Sequence, residues 1–175
     1  MKSKSLNAIF IILISTFCSS CNSVGPNSDK IVGEWVEHHS NYSERADYGL
    51  VSVPGFKISW ETIWDLEKGG TGKVISKQIT VWDDKKMPST SRTIEYPIKW
   101  ETKNDGKEDF LIMKYGTGKI TDIQAEDKLK EEQNGADIMK IFNGLTDTTY
   151  FKVQPDKKIE WHVKNSTKEF EMAKR

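Results

Sequence analysis

Histidine side chains are the first groups to consider for chemistry, and the chain has three: His38, His39 and His162. Neutral imidazole is a common metal ligand in proteins. His38 and His39 are neighbours near the end of a predicted strand, where adjacent side chains point to opposite faces. They therefore cannot easily bind one ion together, and a shared site would need His162 or a nearby carboxylate. We expect solvated histidines here and no metal site.

Nucleophilic catalysis requires a serine or cysteine beside a histidine and an orienting acid. The sequence contains no Gly-x-Ser-x-Gly, no phosphate-binding loop and no Gly-x-Gly-x-x-Gly. Carboxylates are frequent, but they alternate with lysines on strand faces that are predicted to be exposed. We interpret them as solvating groups, and we expect a protein that is not an enzyme and needs no cofactor.

A short basic and apolar segment opens the chain. Lys2 and Lys4 precede an apolar run at residues 9–14, which is too short to span a bilayer by itself. This order is typical of a cleaved export signal. The only two cysteines, Cys18 and Cys21, lie directly after it, so the folded part that follows cannot form a disulfide.

Cys21 is the residue whose chemistry is most clearly indicated. The small residues Ser19 and Ser20 precede it, and Phe17-Cys18-Ser19-Ser20-Cys21 resembles the bacterial lipobox, with Cys18 in place of the usual leucine. The resemblance implies a lipoprotein signal peptide at residues 1–20 and lipid, palmitate included, on the thiol and amine of Cys21. Several acyl chains anchor stably where one is marginal.

The location follows from this anchor. We predict a lipid-anchored protein of the bacterial cell envelope, attached to the membrane through Cys21. Residues 22–25 lack the acidic side chains of some surface-export signals, which favours the outer membrane with the protein facing the periplasm. Residues 21–30, with their Asn, Ser, Gly and Pro, are predicted to be a flexible tether.

Large aromatic side chains are the candidates for binding a ligand. Those that fall on apolar faces of predicted strands are Trp60, Trp64, Tyr96, Trp100 and Trp161. In a wide β-barrel they would line a pocket for an apolar or planar ligand, whereas in a narrow one they would fill the core. An eight-stranded barrel can do either, so both interpretations stay open.

Alternation with a period of two predicts the strands that position these residues. In residues 56–67, apolar side chains share one face and mostly polar ones the other. A glycine-rich turn at residues 69–72 leads into a return strand at 73–82. Pro97 cannot donate to a ladder, so its strand is predicted to be bulged or locally at an edge. The other strands are predicted at 32–38, 94–101, 110–115, 148–153, 159–164 and 169–174.

Two segments do not follow the alternation. Residues 40–54 are polar without a clear period and are long for a loop. Near residues 122–142 we predict a short helical insertion that starts at a capping box formed by Thr121 and Gln124 and breaks at Asn134-Gly135.

About eight short strands joined by hairpin turns must bury one face and protect their edges. An antiparallel up-and-down barrel does both, so we predict a mainly β protein of this type. Gly33-Glu34-Trp35 resembles the first-strand Gly-x-Trp of the lipocalins, and Tyr96-x-x-x-Trp100 before Asn-Asp-Gly resembles a later strand pair. The resemblance implies a lipocalin-like, calycin-type domain over residues 31–175, with Trp35 packed across the closed end.

Charge narrows the classes of partner. Without Lys2 and Lys4 the chain has 24 basic and 26 acidic residues, about −2 in all, so nucleic-acid binding is not expected.

From the anchor, the barrel pattern and the aromatic residues we predict a membrane-anchored binding module for a small, mostly apolar ligand. The alternative is an envelope protein–protein interaction module with a filled barrel, whose charged segment at 126–132 meets a protein partner.

Overall fold

Antiparallel strands make up most of the chain, as the period-two pattern predicts. The computed structural model describes residues 24–47, 52–163 and 170–175. Its helices are α1 (Ser28–Ile31) and α2 (Lys128–Phe142). Its strands are β1 (Gly33–Ser43), β2 (Ala46–Asp47), β3 (Ser52–Val53), β4 (Phe56–Glu67), β5 (Thr71–Trp82), β6 (Thr90–Asn104), β7 (Asp109–Tyr115), β8 (Lys119–Gln124), β9 (Thr146–Val153), β10 (Lys158–Val163) and β11 (Phe170–Lys174).

Eight strands close into an antiparallel barrel in the order β1, β4, β5, β6, β7, β9, β10 and β11, and β11 pairs with β1. The pairing of β5 with β6 completes the closure, from Thr71 opposite Lys99 to Thr80 opposite Thr90. The predicted barrel of about eight strands with a helical insertion is therefore confirmed. The predicted signal peptide at residues 1–20 lies outside the described residues.

The segment predicted to be a long polar loop, residues 40–54, is partly strand. β1 continues to Ser43, which pairs with Phe56 of β4, and β2 and β3 form a separate small hairpin. Residues 48–51 of this segment are not among those described. β1 continues beyond its apolar part because it pairs with β4 along its whole length. The alternation of apolar and polar residues within β1 cannot predict this pairing.

β6 is the longest strand because it has partners on both sides. One edge pairs with β5, and the other pairs first with β8 and then with β7. Pro97 lies where the second edge changes partner, and its carbonyl accepts the Gly116 N–H at 2.8 Å. Pro97, which has no N–H to donate, thus lies in the gap between the part of β6 that pairs with β8 and the part that pairs with β7.

The helical insertion starts later than predicted. Thr121 and Gln124 are not a capping box; they belong to β8, because the free edge of β6 offers this segment strand pairing. Asp127 caps α2, and its carboxylate accepts the backbone N–H of Lys130 at 3.0 Å.

α2 also continues through Gly135, where we predicted a break. A Cβ at this position would lie 2.7 Å from Cδ1 of Ile120, a residue of β8. The glycine is tolerated inside the helix because it lets α2 pack closely on β8, although a glycine there costs helix stability. Close packing, not chain reversal, explains this residue.

Residues 24–32 cross one end of the barrel, the closed end. The carbonyls of Val24 and Pro26 accept the N–H and the hydroxyl of Thr102 at 2.8 and 2.6 Å. α1 follows and places Ile31 in the core, 1% exposed. In place of the flexible tether predicted at residues 21–30, residues 24–30 are thus held against the barrel; residues 21–23 lie outside the described part of the chain.

Trp35 lies at this closed end with 1% of its surface exposed. Its indole N–H donates to the carbonyl of Ile31 at 2.7 Å, and the Lys174 ammonium lies 5.3 Å from its ring centroid. The strap formed by residues 24–32 is therefore hydrogen-bonded both to Trp35 in the barrel interior and to Thr102 at the rim.

Candidate functional site

A cavity of about 400 Å³ lies inside the other end of the barrel, beneath α2. This volume is within the range of about 300–1,000 Å³ that is typical of small-molecule sites. Aromatic rings form much of its wall: Trp60, Trp64, Tyr96, Tyr115 and Phe142. Its polar groups are Glu37, Thr62, Ser76, Gln78 and Arg92.

The size of the inward-facing side chains explains why the barrel is hollow at one end. Near the closed end, Trp35, Leu66 and Met113 are at most 2% exposed and fill the interior. Further along β4 and β5, the facing pair is Thr62 and Ser76. These two small side chains leave space that large ones would occupy, so the barrel is filled in one half and open in the other.

Three of the five predicted pocket residues come together at this cavity. Trp60 and Trp64 project from β4 and Tyr96 from β6. Phe142 of α2 packs on Tyr96, with ring centroids 5.3 Å apart, and on Tyr115, 5.6 Å apart. The last turn of α2 therefore forms an aromatic roof over the aromatic wall.

The other two predicted residues lie elsewhere. Trp100 is 3% exposed near the closed end, and its indole N–H donates to the carbonyl of Thr71 at 2.7 Å. Trp161 stacks on Phe170 at 4.6 Å between centroids and contacts Trp64 at 5.5 Å, but it faces a separate surface groove. Neither residue lines the cavity beneath α2.

Arg92 links the cavity wall to the helix. Its guanidinium donates to Glu131 of α2 at 3.0 Å and to the side-chain oxygen of Gln78 on β5. The arginine is 8% exposed, and its Nε has no hydrogen-bond partner among the described residues. Because its charge is paired with a carboxylate of α2, Arg92 helps to fasten the helix over the cavity.

The pKa values of the other ionisable groups of the cavity are raised, which favours their neutral forms. Burial raises the pKa of the Glu37 carboxyl, and burial is also the main cause that raises the pKa of Tyr115 and of Tyr96. The charged Arg92 partly opposes the shift at Tyr96. The Tyr96 hydroxyl has no hydrogen-bond partner within the described structure. These shifts are those expected of groups that are partly shielded from water.

His38 and His162 lie on the outer part of the barrel, whereas the exposed His39 is on the same face of β1 as Glu37. His38 is 3.8 Å from Glu61, and His162 is 3.8 Å from Glu108. His39 stacks on Trp60 with centroids 5.5 Å apart. Within residues 24–47, 52–163 and 170–175, no group of three His, Cys, Asp or Glu side chains is arranged to hold a metal ion.

Larger depressions occur on the outer surface. A polar groove of about 780 Å³ runs past Lys107, His162 and Glu160, and another of about 740 Å³ lies beside the strap at Val24. Both are more open to solvent than the cavity beneath α2 and have a larger share of polar wall. A ligand would be desolvated less well in them, so the smaller cavity is the better candidate site.

Sequence reasoning missed several groups of the site. Arg92 lies two residues before Ile94 on the same face of β6, and Glu37 lies two residues after Trp35 on β1. Alternation alone would have found both had it been applied to charged residues as well as to apolar ones. Phe142 and Ile138 were not predictable in this way, because the docking of α2 decides which of its faces meets the barrel.

No model of a known protein family matches the chain, and no curated protein is significantly similar to it. Of the helices in the described residues, none is long and apolar enough to cross a membrane.

Proposed function

We propose that this chain is a lipid-anchored, lipocalin-like protein of the bacterial cell envelope that binds a small, mostly apolar molecule. The observation that carries the proposal is the cavity of about 400 Å³ beneath α2, with Trp60, Trp64 and Tyr96 in its wall. Apolar and aromatic walls with a few polar groups are typical of small-molecule sites. The first-strand Gly33-Glu34-Trp35 supports the likeness to lipocalins.

A ligand titration tests the proposal. The mature chain, without the signal peptide and with Cys21→Ser, is titrated with decanol. Tryptophan fluorescence is recorded because two tryptophans line the cavity. We expect a saturable change. Ser76→Phe should abolish it by filling the cavity, whereas Lys77→Phe, on the exposed face of the same strand, should not. Unsaturable signals, or equal binding by both variants, would refute a binding role for this cavity.

Attachment through Cys21 is the second part of the proposal. Each buried methylene contributes about 0.8 kcal/mol, so the loss of whole acyl chains should release the protein from the membrane. Cells that express the wild type are fed labelled fatty acid, and cells that express Cys21→Ser are fractionated. If the wild type takes up no label and the variant stays in the membrane pellet, the anchor proposal is wrong.

A protein–protein interaction module is the second candidate. It is favoured by apolar side chains that α2 and the residues after it expose, since Leu129 is 79%, Ile141 70% and Leu145 40% exposed. Crosslinking in intact cells followed by mass spectrometry tests it. A specific partner crosslinked at α2, together with no saturable ligand binding, would favour this function over the first.

A further inference from the structure

Glu37 places a carboxylate in the wall of the cavity without a counter-ion. None of the described residues forms a salt bridge or a hydrogen bond with this side chain, and burial raises its pKa. Glu37 is half-buried, and an ionised carboxylate that is partly withdrawn from water and unpaired is costly to the folded protein. A ligand that supplied the missing positive charge would remove this cost.

The neighbours of Glu37 suit a cation. Thr62 lies directly opposite it on β4, and Trp60 and Trp64 lie two residues to either side of Thr62 on the same face. Such diagonal positions are about 7–8 Å apart, within reach of large aromatic side chains. Tryptophan is the aromatic residue that attracts cations most strongly, at up to about 6 Å from the ring centroid.

The remaining charges of the cavity do not alter this balance. Arg92 is already paired with Glu131 and bonded to Gln78, so it adds no net charge in combination with its partner. Tyr115 stays neutral because burial raises its pKa. The unbalanced charge of the wall is therefore the negative charge of Glu37. A carboxylate ligand would enter against that charge and would find no unpaired cation among the groups described here.

We infer that the ligand carries a positively charged amine or ammonium group, which binds at Glu37 between Trp60 and Trp64. Its apolar remainder then occupies the space beneath Tyr96 and Phe142. The inference rests on the proposed function of the cavity as a ligand site, and it adds the chemical class of the ligand.

Three probes of equal chain length and different charge test the inference. Decylammonium, decanol and decanoate are titrated separately, below their micelle-forming concentrations and at neutral pH, into the full mature chain with Cys21→Ser. We expect decylammonium to bind about tenfold more tightly than decanol, which corresponds to one favourable charged contact. Decanoate should bind least tightly of the three.

Glu37→Gln provides the decisive comparison, because it keeps the size of the side chain and removes its charge. The preference for decylammonium over decanol should fall to about onefold, while decanol binding stays within about twofold of the original. Glu61→Gln is the matched control, since Glu61 is on the outer face of β4 beside His38. It should keep the preference.

The outcomes separate the two proposals. If none of the three probes shows saturable binding, the proposed function fails, and the inference fails with it. If decanol or decanoate binds at least as tightly as decylammonium, the cavity binds ligands but the inference is overturned. A preference for decylammonium that survives Glu37→Gln would also overturn the assignment of the cation to Glu37.

Discussion

Lipid on Cys21 should hold the barrel with its closed end towards the membrane and its cavity facing away. Three peptide steps separate Cys21 from Val24, and a fully extended chain spans at most about 3.6 Å per residue. The Val24 carbonyl accepts a hydrogen bond from the Thr102 N–H at the closed end. This end therefore lies within about 11 Å of Cys21. Without the docked strap, the chain length would not define an orientation.

The opposite end lies much farther from the bilayer. β4 and β5 each have 12 residues. A strand rises about 3.3 Å per residue and is tilted by about 40° in a barrel, so these strands span about 30 Å along the barrel axis. The loop of residues 83–89 and α2 should then lie about 30–40 Å from the membrane surface.

Quenching by a lipid-headgroup nitroxide measures this difference. Single fluorophores are placed at Lys103→Cys, at the closed end, or at Lys85→Cys, in the loop at the far end; both side chains are exposed. Acylated protein is inserted into vesicles, after mass spectrometry has verified its acyl chains. We expect strong quenching at position 103 and little at position 85.

A longer linker is the control. Twenty Gly/Ser residues inserted before Val24 give a root-mean-square span of about 25 Å, enough to let the barrel tumble. The difference between the two positions should then largely disappear. Equal quenching at 85 and 103 in the acylated chain without the insertion would refute the orientation argument.

Three further perturbations test other parts of the structure. Trp35→Phe removes the hydrogen bond to Ile31 and part of a buried ring, and should lower the free energy of unfolding in urea by about 2 kcal/mol. Burial raises the folded-state pKa of Glu37, so in the ligand-free protein stability should fall as pH rises from 4.5 through that raised pKa. Urea unfolding at a series of pH values should show that Glu37→Gln lacks this part of the fall. Gly135→Leu should displace α2 from Ile120 and weaken ligand binding in fluorescence titration, with the β-sheet signal in circular dichroism retained.

Strand alternation predicts the barrel well because each strand has one buried face. The turn between β4 and β5, at residues 68–70, lies within two residues of the predicted 69–72, and Gly69 and Gly70 have the positive φ that such turns require. The final strands also agree with the prediction to within one or two residues where they are described. Local chemistry is sufficient for these features.

Alternation cannot give the height of a residue along the barrel axis. Trp64 and Trp100 have the same inward parity, but only Trp64 lines the cavity, because height depends on the stagger between strands. The strap at residues 24–32 was missed for a related reason. Its polar composition is that of a linker, and the hydrogen bonds from Thr102 that hold it come from a residue about 76 positions away in the sequence.

The division of the barrel into a filled and a hollow half separates stability from binding. The closed half combines Trp35, Leu66, Met113 and the docked strap, so its burial can stabilise the fold without a ligand. Around the hollow half, the half-buried Glu37 carboxylate and the buried Arg92 Nε and Tyr96 hydroxyl have no partner among the described residues, and such groups cost stability. A protein selected only for a filled barrel would gain by replacing Glu37 and the small Thr62 and Ser76 with larger apolar residues. The small Thr62 and Ser76 and the polar Glu37 together keep one half of the barrel hollow, which favours a binding role over an interaction module with a filled barrel.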